Sequence, residues 1–410
     1  MKKVILLLSL LCNSNVNAEA IEVLHWWTAK GELEAQRILE KMLLEQNIEW
    51  NNFAIVGEGG ESAVRVLQLR ALSGNPPDAA QIKGPDIGEW AKIGMLEEIK
   101  QITDTSLWQQ KLPQIVRESV TFDGEYMAVP VNVHRVNWLW LNKAIFDKLD
   151  LPVPATWDSF FAVADKIKAA GYIPLAHGGS VWQDASLFES VALSILGGEK
   201  YKQAFVEHNE AVLTSPEMIR VFKLFKRLHK YTDSNMLGKD WHEASQLISD
   251  NKAAMQFMGD WAKGMWHAQG KQPMVDYICT DVPESKGLFS YNIDSFVFFE
   301  KNSSAAHQKT QTVFAEMLLS EKFQVAFNLA KGSIPVTNAI EIGQFDSCAQ
   351  KSFADFNNAE LVPSFTSNLA STSHLRNIMI KIISNYFNNP DADAQRTVKS
   401  LSLAIRAINK

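Results

Sequence analysis

Between residues 20 and 100, short apolar segments alternate with amphipathic ones, and this alternation constrains the fold more than any other feature of the chain. Residues 21–24 read as a strand. Glu32 then opens a helix in which Ala35, Ile38, Leu39, Met42 and Leu43 recur at helical spacing. Residues 53–56 read as a second strand. The glycine-rich "GEGGES" follows, then a helix with Ala63, Val66, Leu67 and Ala71 on one face and Gly74 at its end. "AAQI" is a third strand, and "KGPDIGEW" leads into the next helix. Strands alternating with amphipathic helices predict an α/β unit with a largely parallel sheet.

The 410 residues are too many for one such unit and point to two domains. Residues 127–131 and 133–141 have the β-branched and aromatic content of strands, with a break expected at Asn132. A helical section begins at Thr156, an N-cap residue, and reaches a glycine stop at Gly171; mostly helical segments continue to about residue 270. "YNIDSFVFF" restores a strand pattern near residue 290. Helices then run to Gly332 and again from about residue 375 to the end. This return predicts a chain that crosses between two α/β lobes more than once. The N-terminal lobe is expected from residues 19–131 plus 286–335 and the C-terminal lobe from 132–285 plus 336–410. Several crossings would make a hinge with a cleft between the lobes.

The N-terminus, "MKKVILLLSLLCNSNVNAEA", has a basic start, a short apolar run and a small-x-Ala site at residues 16–18. It reads as a secretory signal peptide over residues 1–18, too short for a permanent membrane anchor. Leu11 is too large for a lipoprotein motif at Cys12. Beyond the leader two cysteines remain, Cys279 and Cys348. An even count in an oxidising compartment suggests one disulfide, with two buried thiols as the alternative; a bridge would close a loop of about 70 residues, worth on the order of 4 kcal/mol. A net charge of −6 argues against a nucleic-acid partner.

The adjacent pair Trp26-Trp27 stands where the first strand runs out. Neighbouring strand side chains face opposite ways, so the two indoles can share a surface only if the strand has ended. No G-x-S-x-G, H-E-x-x-H, G-x-G-x-x-G or paired CxxC motif occurs, and no cysteine has metal-ligand spacing, so neither catalysis nor a metal or other cofactor is indicated. A hexose instead needs aromatic plates for its C–H faces and carboxylate, amide and cationic groups around its hydroxyl rim. Such groups stand at element ends: Trp26, Trp27 and Glu32 after strand one; Gln81 and Lys83 after strand three; Trp241 and Trp261; Asn292 and Asp294; Lys331; and His374. Each has a plainer reading. The tryptophans could be core, Glu32 a first-turn helix residue, the lysines surface charges, and Asn292 and Asp294 a solvated strand face. Trp138 and Trp140 read as packing, and His134 as a hydrogen-bonded structural histidine.

Taken together, residues 22–32, "QIKGPDIGEW", "VNVHRVNWLWLNKAIFDK", "FMGDWAKG", "NIDSF" and "AKGSIPV" resemble the family 1 extracellular solute-binding proteins of ABC transporters, most of all their periplasmic glucose/mannose-binding branch. The likeness covers nearly the whole chain. It implies a two-lobed periplasmic binding protein fold (type II-like) with a hinge and an interlobe ligand cleft. It also implies a monosaccharide ligand and an inner-membrane ABC permease as partner, with no cofactor; a monomer is the default expectation. By position it assigns ligand contacts to Trp26, Trp27, Glu32, Gln81, Lys83, Trp241, Trp261, Asn292, Asp294, Lys331 and His374. Gln81 and Lys83 are alternatives for the direct contact, and the two cysteines fall where that branch pairs them. A secreted glycan hydrolase using Glu32 and Asp294 is the rival from another class, and an oligosaccharide or amino-sugar ligand the rival within the fold.

Overall fold

The first predicted strand forms as β1 (Glu19–His25), with Ile21, Val23 and Leu24 buried, and ends one residue before Trp26. The computed structural model describes residues 19–56, 60–299 and 304–408. The predicted signal peptide and the centre of the glycine-rich loop, residues 57–59, lie outside the described residues. The strands that build the two main sheets follow in order as β2 (Ile48–Ala54), β3 (Ala79–Gln81), β4 (Val129–Arg135), β5 (Trp138–Asn142), β6 (Ile173–Leu175), β7 (Ala253–Phe257), β8 (Tyr277–Asp281), β9 (Leu288–Phe298) and β10 (Glu360–Pro363).

One sheet runs β10-β9-β3-β1-β2, with β4 also paired to β9. Its β2-β1-β3 part is parallel, as the alternating pattern predicts, whereas β9 pairs antiparallel with both β3 and β4. The second sheet runs β8-β5-β7-β6. Each sheet has its own core. Val23, Leu39, Phe296 and Phe323 belong to the first; Leu139, Phe160, Phe188 and Phe225 belong to the second. The α/β class and the two-lobed architecture are those expected from the sequence.

The chain passes from the first sheet to the second between β4 and β5, and returns between β8 and β9. The expected break at Asn132 lies instead at Val136–Asn137. Asn132 stays inside β4, paired with Asp294, and the irregularity falls one residue earlier, where Val131 of β4 is the extra residue between the pairs Asp294–Asn132 and Ser295–Pro130; the Asn132 amide donates to Ser333 Oγ at 3.1 Å. Arg135 secures the crossing. Its buried guanidinium reaches Asp281 at 2.8 Å and Asp355 at 2.5 Å and lies 4.1 Å from the Trp138 ring centroid. Cys279 of β8 is disulfide-bonded to Cys348, with their Cα atoms 6.0 Å apart.

Helices carry the remaining site residues. They are α1 (Lys30–Leu44), α2 (Glu61–Leu72), α3 (Pro85–Lys92), α4 (Val181–Phe205), α5 (Trp241–Ser249), α6 (Trp261–His267), α7 (Glu321–Lys331), α8 (Ser347–Asn358) and α9 (Ser373–Asn388). Ala29 precedes α1 without a capping side chain. Glu32 serves instead, accepting the Thr28 and Ala29 amides through Oε2, each at 3.1 Å.

Candidate functional site

Because β1 ends at His25, both following indoles are released from strand geometry. Trp27 turns inward, 1% exposed, and packs edge-on to Phe296 at 5.5 Å and against Phe327 at 5.2 Å. Trp26 is partly exposed, and its amide donates to Gln81 Oε1 at 3.4 Å. Gly60, at φ +100°, lets α2 begin against that indole; a Cβ there would stand 2.9 Å from the ring.

A cleft between the lobes opens beside this pair. Trp26, Trp27, Glu32, Lys83, Asn292, Asp294 and Lys331 line it from the first lobe; Trp241 and Trp261, each the first residue of its helix, line it from the second. Nine of the eleven residues singled out in the sequence thus surround one space. The other two stand apart. Gln81 lies behind the wall, holding the Trp26 amide. His374, in the first turn of α9, lines an adjoining chamber that shares Trp26, Lys83 and Arg376 with the cleft.

The polar groups are engaged with one another. Lys331 Nζ donates to Glu32 Oε1 at 2.6 Å and sits 5.6 Å from the Trp27 ring. Lys83 Nζ donates to Asn292 Oδ1 at 3.1 Å, lies 3.6 Å from Asp294 Oδ1, and is 5.2 Å from the Trp26 ring. His134 bridges two carboxylates, with Asp260 in close contact at Nδ1 and Asp294 Oδ2 at 3.3 Å from Nε2. Burial would push Asp294 up, but Lys83 and His134 outweigh it and hold the carboxyl well below the usual carboxylate range. Burial would likewise lower His134, yet Asp260 and Asp294 raise it above the ordinary histidine value. Lys83 is lowered by burial, with Asp294 opposing. The cleft therefore presents fixed charges of both signs next to indole faces, an arrangement suited to a neutral ligand rich in hydroxyls.

Thr28, His134, Trp182, Asp240, Thr366, Ser367 and Arg376 complete the lining. His134 combines its structural hydrogen bonds with a place on the cleft wall. Asp240 had a legible signal: it begins the capping box D-W-H-E at the start of α5. Thr366 and Ser367 had none. They stand in a loop after β10 that is held from behind by buried Glu189, which accepts from Ser364 Oγ at 2.9 Å and the Thr366 amide at 3.1 Å. Arg376 Nε donates to the Thr366 carbonyl at 2.9 Å. Among the described residues no cluster of three His, Cys, Asp or Glu side chains could hold a metal ion, and no helix is long and apolar enough to cross a membrane.

Two α/β lobes, a chain that crosses between them, and a polar, indole-walled cleft at their junction define a two-lobed solute receptor. The chain belongs to the bacterial extracellular solute-binding protein family, whose sequence model matches residues 34–321. It is 37% identical to a probable sugar-binding periplasmic protein of Rhizobium meliloti over 95% of this chain and 94% of the relative. It is 34% identical to an uncharacterised ABC transporter extracellular-binding protein of Pyrococcus horikoshii over 87% and 79%. Among solved structures, a chitin oligosaccharide binding protein superposes with a TM-score of 0.80 at 18% identity, covering 95% of this chain and 99% of the other. The solute receptor AcbH, described as having an exclusive preference for β-D-galactopyranose, superposes with a TM-score of 0.79 at 18% identity, covering 96% and 100%. The family is one of receptors rather than enzymes.

Proposed function

We propose that this chain is a periplasmic receptor that captures a monosaccharide, a glucose- or mannose-like hexose, in the interlobe cleft and delivers it to an inner-membrane ABC import permease. The observation that carries this reading is the convergence of nine residues, from widely separated segments of both lobes, on one cleft. The names of the relatives support a sugar ligand and a periplasmic location. In this reading residues 1–18 are a cleaved signal peptide and the receptor acts as a monomer. Indole faces bury the C–H surfaces of the ring while Asp294, Asn292, Glu32, Lys83 and Lys331 exchange part of their mutual hydrogen bonding for ring hydroxyls. The sugar touches both lobes, so it binds the closed state better and shifts the population toward it.

The hydrolase alternative is less well supported. It needs one carboxyl held protonated as a general acid beside an ionised partner; Asp294 is held ionised by Lys83 and His134, and Glu32 is ion-paired to Lys331 at 2.6 Å. Calorimetry of the mature protein against glucose, galactose, mannose, glucosamine and maltose tests the proposal. One hexose should bind with unit stoichiometry and release no product. Asp294→Ala should weaken it by about a hundredfold, the combined loss of a charged hydrogen bond and the partner of Lys83. Absence of binding by every sugar in that set would sink the proposal.

A further inference from the structure

Behind Asp294 stands a buried histidine with a choice of partners. His134, on β4, has Asp260 in close contact at Nδ1. Asp260 is itself fixed to the crossing strand: its Oδ2 accepts the Arg135 amide at 3.0 Å, and its own amide donates to the Arg135 carbonyl at 3.1 Å. The Nδ1 proton is therefore held by an anchored carboxylate. Nε2 faces two groups of opposite kind, Asp294 Oδ2 at 3.3 Å and the side-chain nitrogen of Asn132 at 3.0 Å. The other neighbour of that amide fixes its orientation. Ser333 Oγ gives its hydrogen to Asn328 Oδ1 at 2.6 Å, so toward Asn132 it can only accept, and it does so from Nδ2 at 3.1 Å. A protonated Nε2 can bond Asp294 but not the Asn132 nitrogen. A bare Nε2 can accept from Asn132 but presents a lone pair to Asp294.

We propose that the proton on His134 Nε2 is a switch for the binding site: present, it tethers Asp294 in place for the ligand; absent, Nε2 accepts from Asn132 and Asp294 is released. His134 is then a positioning residue that acts through Asp294, and the inference rests on the receptor reading above. The charges around the ring leave this tether its role. Lys83 and the Asn292 amide hold the other carboxylate oxygen, Oδ1, at 3.6 and 3.3 Å, so the imidazolium restrains rotation about that oxygen. Lys331 is bonded to Glu32. Arg135, next along the strand, turns its guanidinium away to Asp281 and Asp355. The ring is 1% exposed, with Trp261 edge-on at 5.4 Å, so little water reaches Nε2 to stand in for either partner. Burial lowers the imidazole's pKa, but Asp260 and Asp294 together raise it above the ordinary histidine value. The contribution to binding is therefore fully present at lower pH and is lost on the alkaline side, as pH rises through the raised pKa.

Calorimetry with glucose, galactose and mannose across about pH 6 to 10, on the mature native protein, His134→Gln and Asn132→Ala, decides the matter. For a sugar that binds, native affinity should fall about tenfold over this range, the equivalent of one charged hydrogen bond. His134→Gln has no proton to lose there, and its affinity should change by less than about threefold. Asn132→Ala removes the partner of the bare nitrogen, favours the proton, and should move the midpoint of the fall to higher pH by about half a unit or more. Asn132 does not line the cleft, so this variant carries the test should His134→Gln not fold. A native fall of less than about threefold overturns the proposal and leaves the receptor standing. So does a midpoint unmoved in Asn132→Ala. So does a fall of native size in His134→Gln, which would assign the effect to Lys83, whose pKa burial lowers and which faces the same carboxylate. Binding of no sugar at any pH overturns the receptor reading as well.

Discussion

His25 shows how one buried side chain sets the entrance to the cleft. It lies between Trp27 and Trp50, with ring centroids 5.5 and 5.7 Å away. Its Nδ1 accepts the Trp27 amide at 3.1 Å, which leaves Nε2–H to donate to Asn52 Oδ1 at 2.8 Å. Only the neutral imidazole satisfies both partners, and burial lowers its pKa to about 4. Between that value and the ordinary 6.5, the unfolded chain binds a proton that the folded chain refuses. Stability is therefore lost as pH falls through this window, by on the order of 2 kcal/mol at pH 5. Urea unfolding at pH 7 and pH 5 should show that loss in the native protein and a clearly smaller one in His25→Gln; equal losses in the two proteins would show that His25 is not the group responsible. Trp27 belongs to the same cluster, so truncating it to alanine would empty core as well as cleft, at a cost of about 3–5 kcal/mol. Asp294 packs no apolar core, but its removal leaves buried Lys83 and His134 without that counter-charge, so its binding measurement is paired with a thermal melt.

Among the elements, α6 meets the first lobe with no room to spare. A Cβ on Gly264 would stand 2.5 Å from the Lys331 carbonyl oxygen, and one on Gly31 would stand 2.5 Å from the Gly264 carbonyl carbon. Helix α6 also carries Trp261 into the cleft, and Asp260 just before it holds His134. Gly264→Ala should therefore push α6 away from α7, costing about 1–3 kcal/mol and weakening ligand binding by about tenfold or more as Trp261 and Asp260 shift. Gly343→Ala, with nothing within 4 Å of its Cβ, is the control. Calorimetry and thermal melts read both effects, and native-like affinity in Gly264→Ala would show that this contact does not set the cleft. None of this was legible in the sequence, because a glycine that admits a neighbouring backbone looks like any other glycine. The same limit explains the displaced elements. β2 was expected at residues 53–56 but spans Ile48–Ala54, since it pairs only with β1 at the sheet edge and tolerates Glu49, Asn51 and Asn52 there. β6 and β7 were hidden among helices because they are three and five residues long. The site residues that could be read, Trp26, Trp27, Glu32, Lys83, Trp241, Trp261, Asn292, Asp294 and Lys331, follow or sit within short marked motifs. Thr366, Ser367 and Arg376 owe their place to contacts with Glu189 and to one another, which no local pattern records.

At the scale of the whole molecule, the lobes are joined by more than the crossing strands. The disulfide links Cys279, on the β8 edge of the second sheet, to Cys348 in α8, whose Ala349 and Phe356 pack in the core of the first sheet. The same helix supplies Asp355 and Lys351. These meet Arg135 at 2.5 Å and Asp281 at 3.1 Å, so charges from both crossings converge beside the bridge. The cross-link spans 69 residues and, in the chain-entropy estimate, contributes about 4 kcal/mol by restricting the unfolded chain. Spread over the unfolding entropy of a protein this size, that is a shift of about 5 °C in melting midpoint. Cys279→Ser/Cys348→Ser should fold, melt at that lower temperature, and bind ligand with native affinity, since neither cysteine lines the cleft. Scanning calorimetry of the double variant and of the native protein with and without reductant makes the comparison. A midpoint unmoved by both reduction and substitution would mean that the charge cluster around Arg135, rather than the bridge, fixes α8 between the lobes.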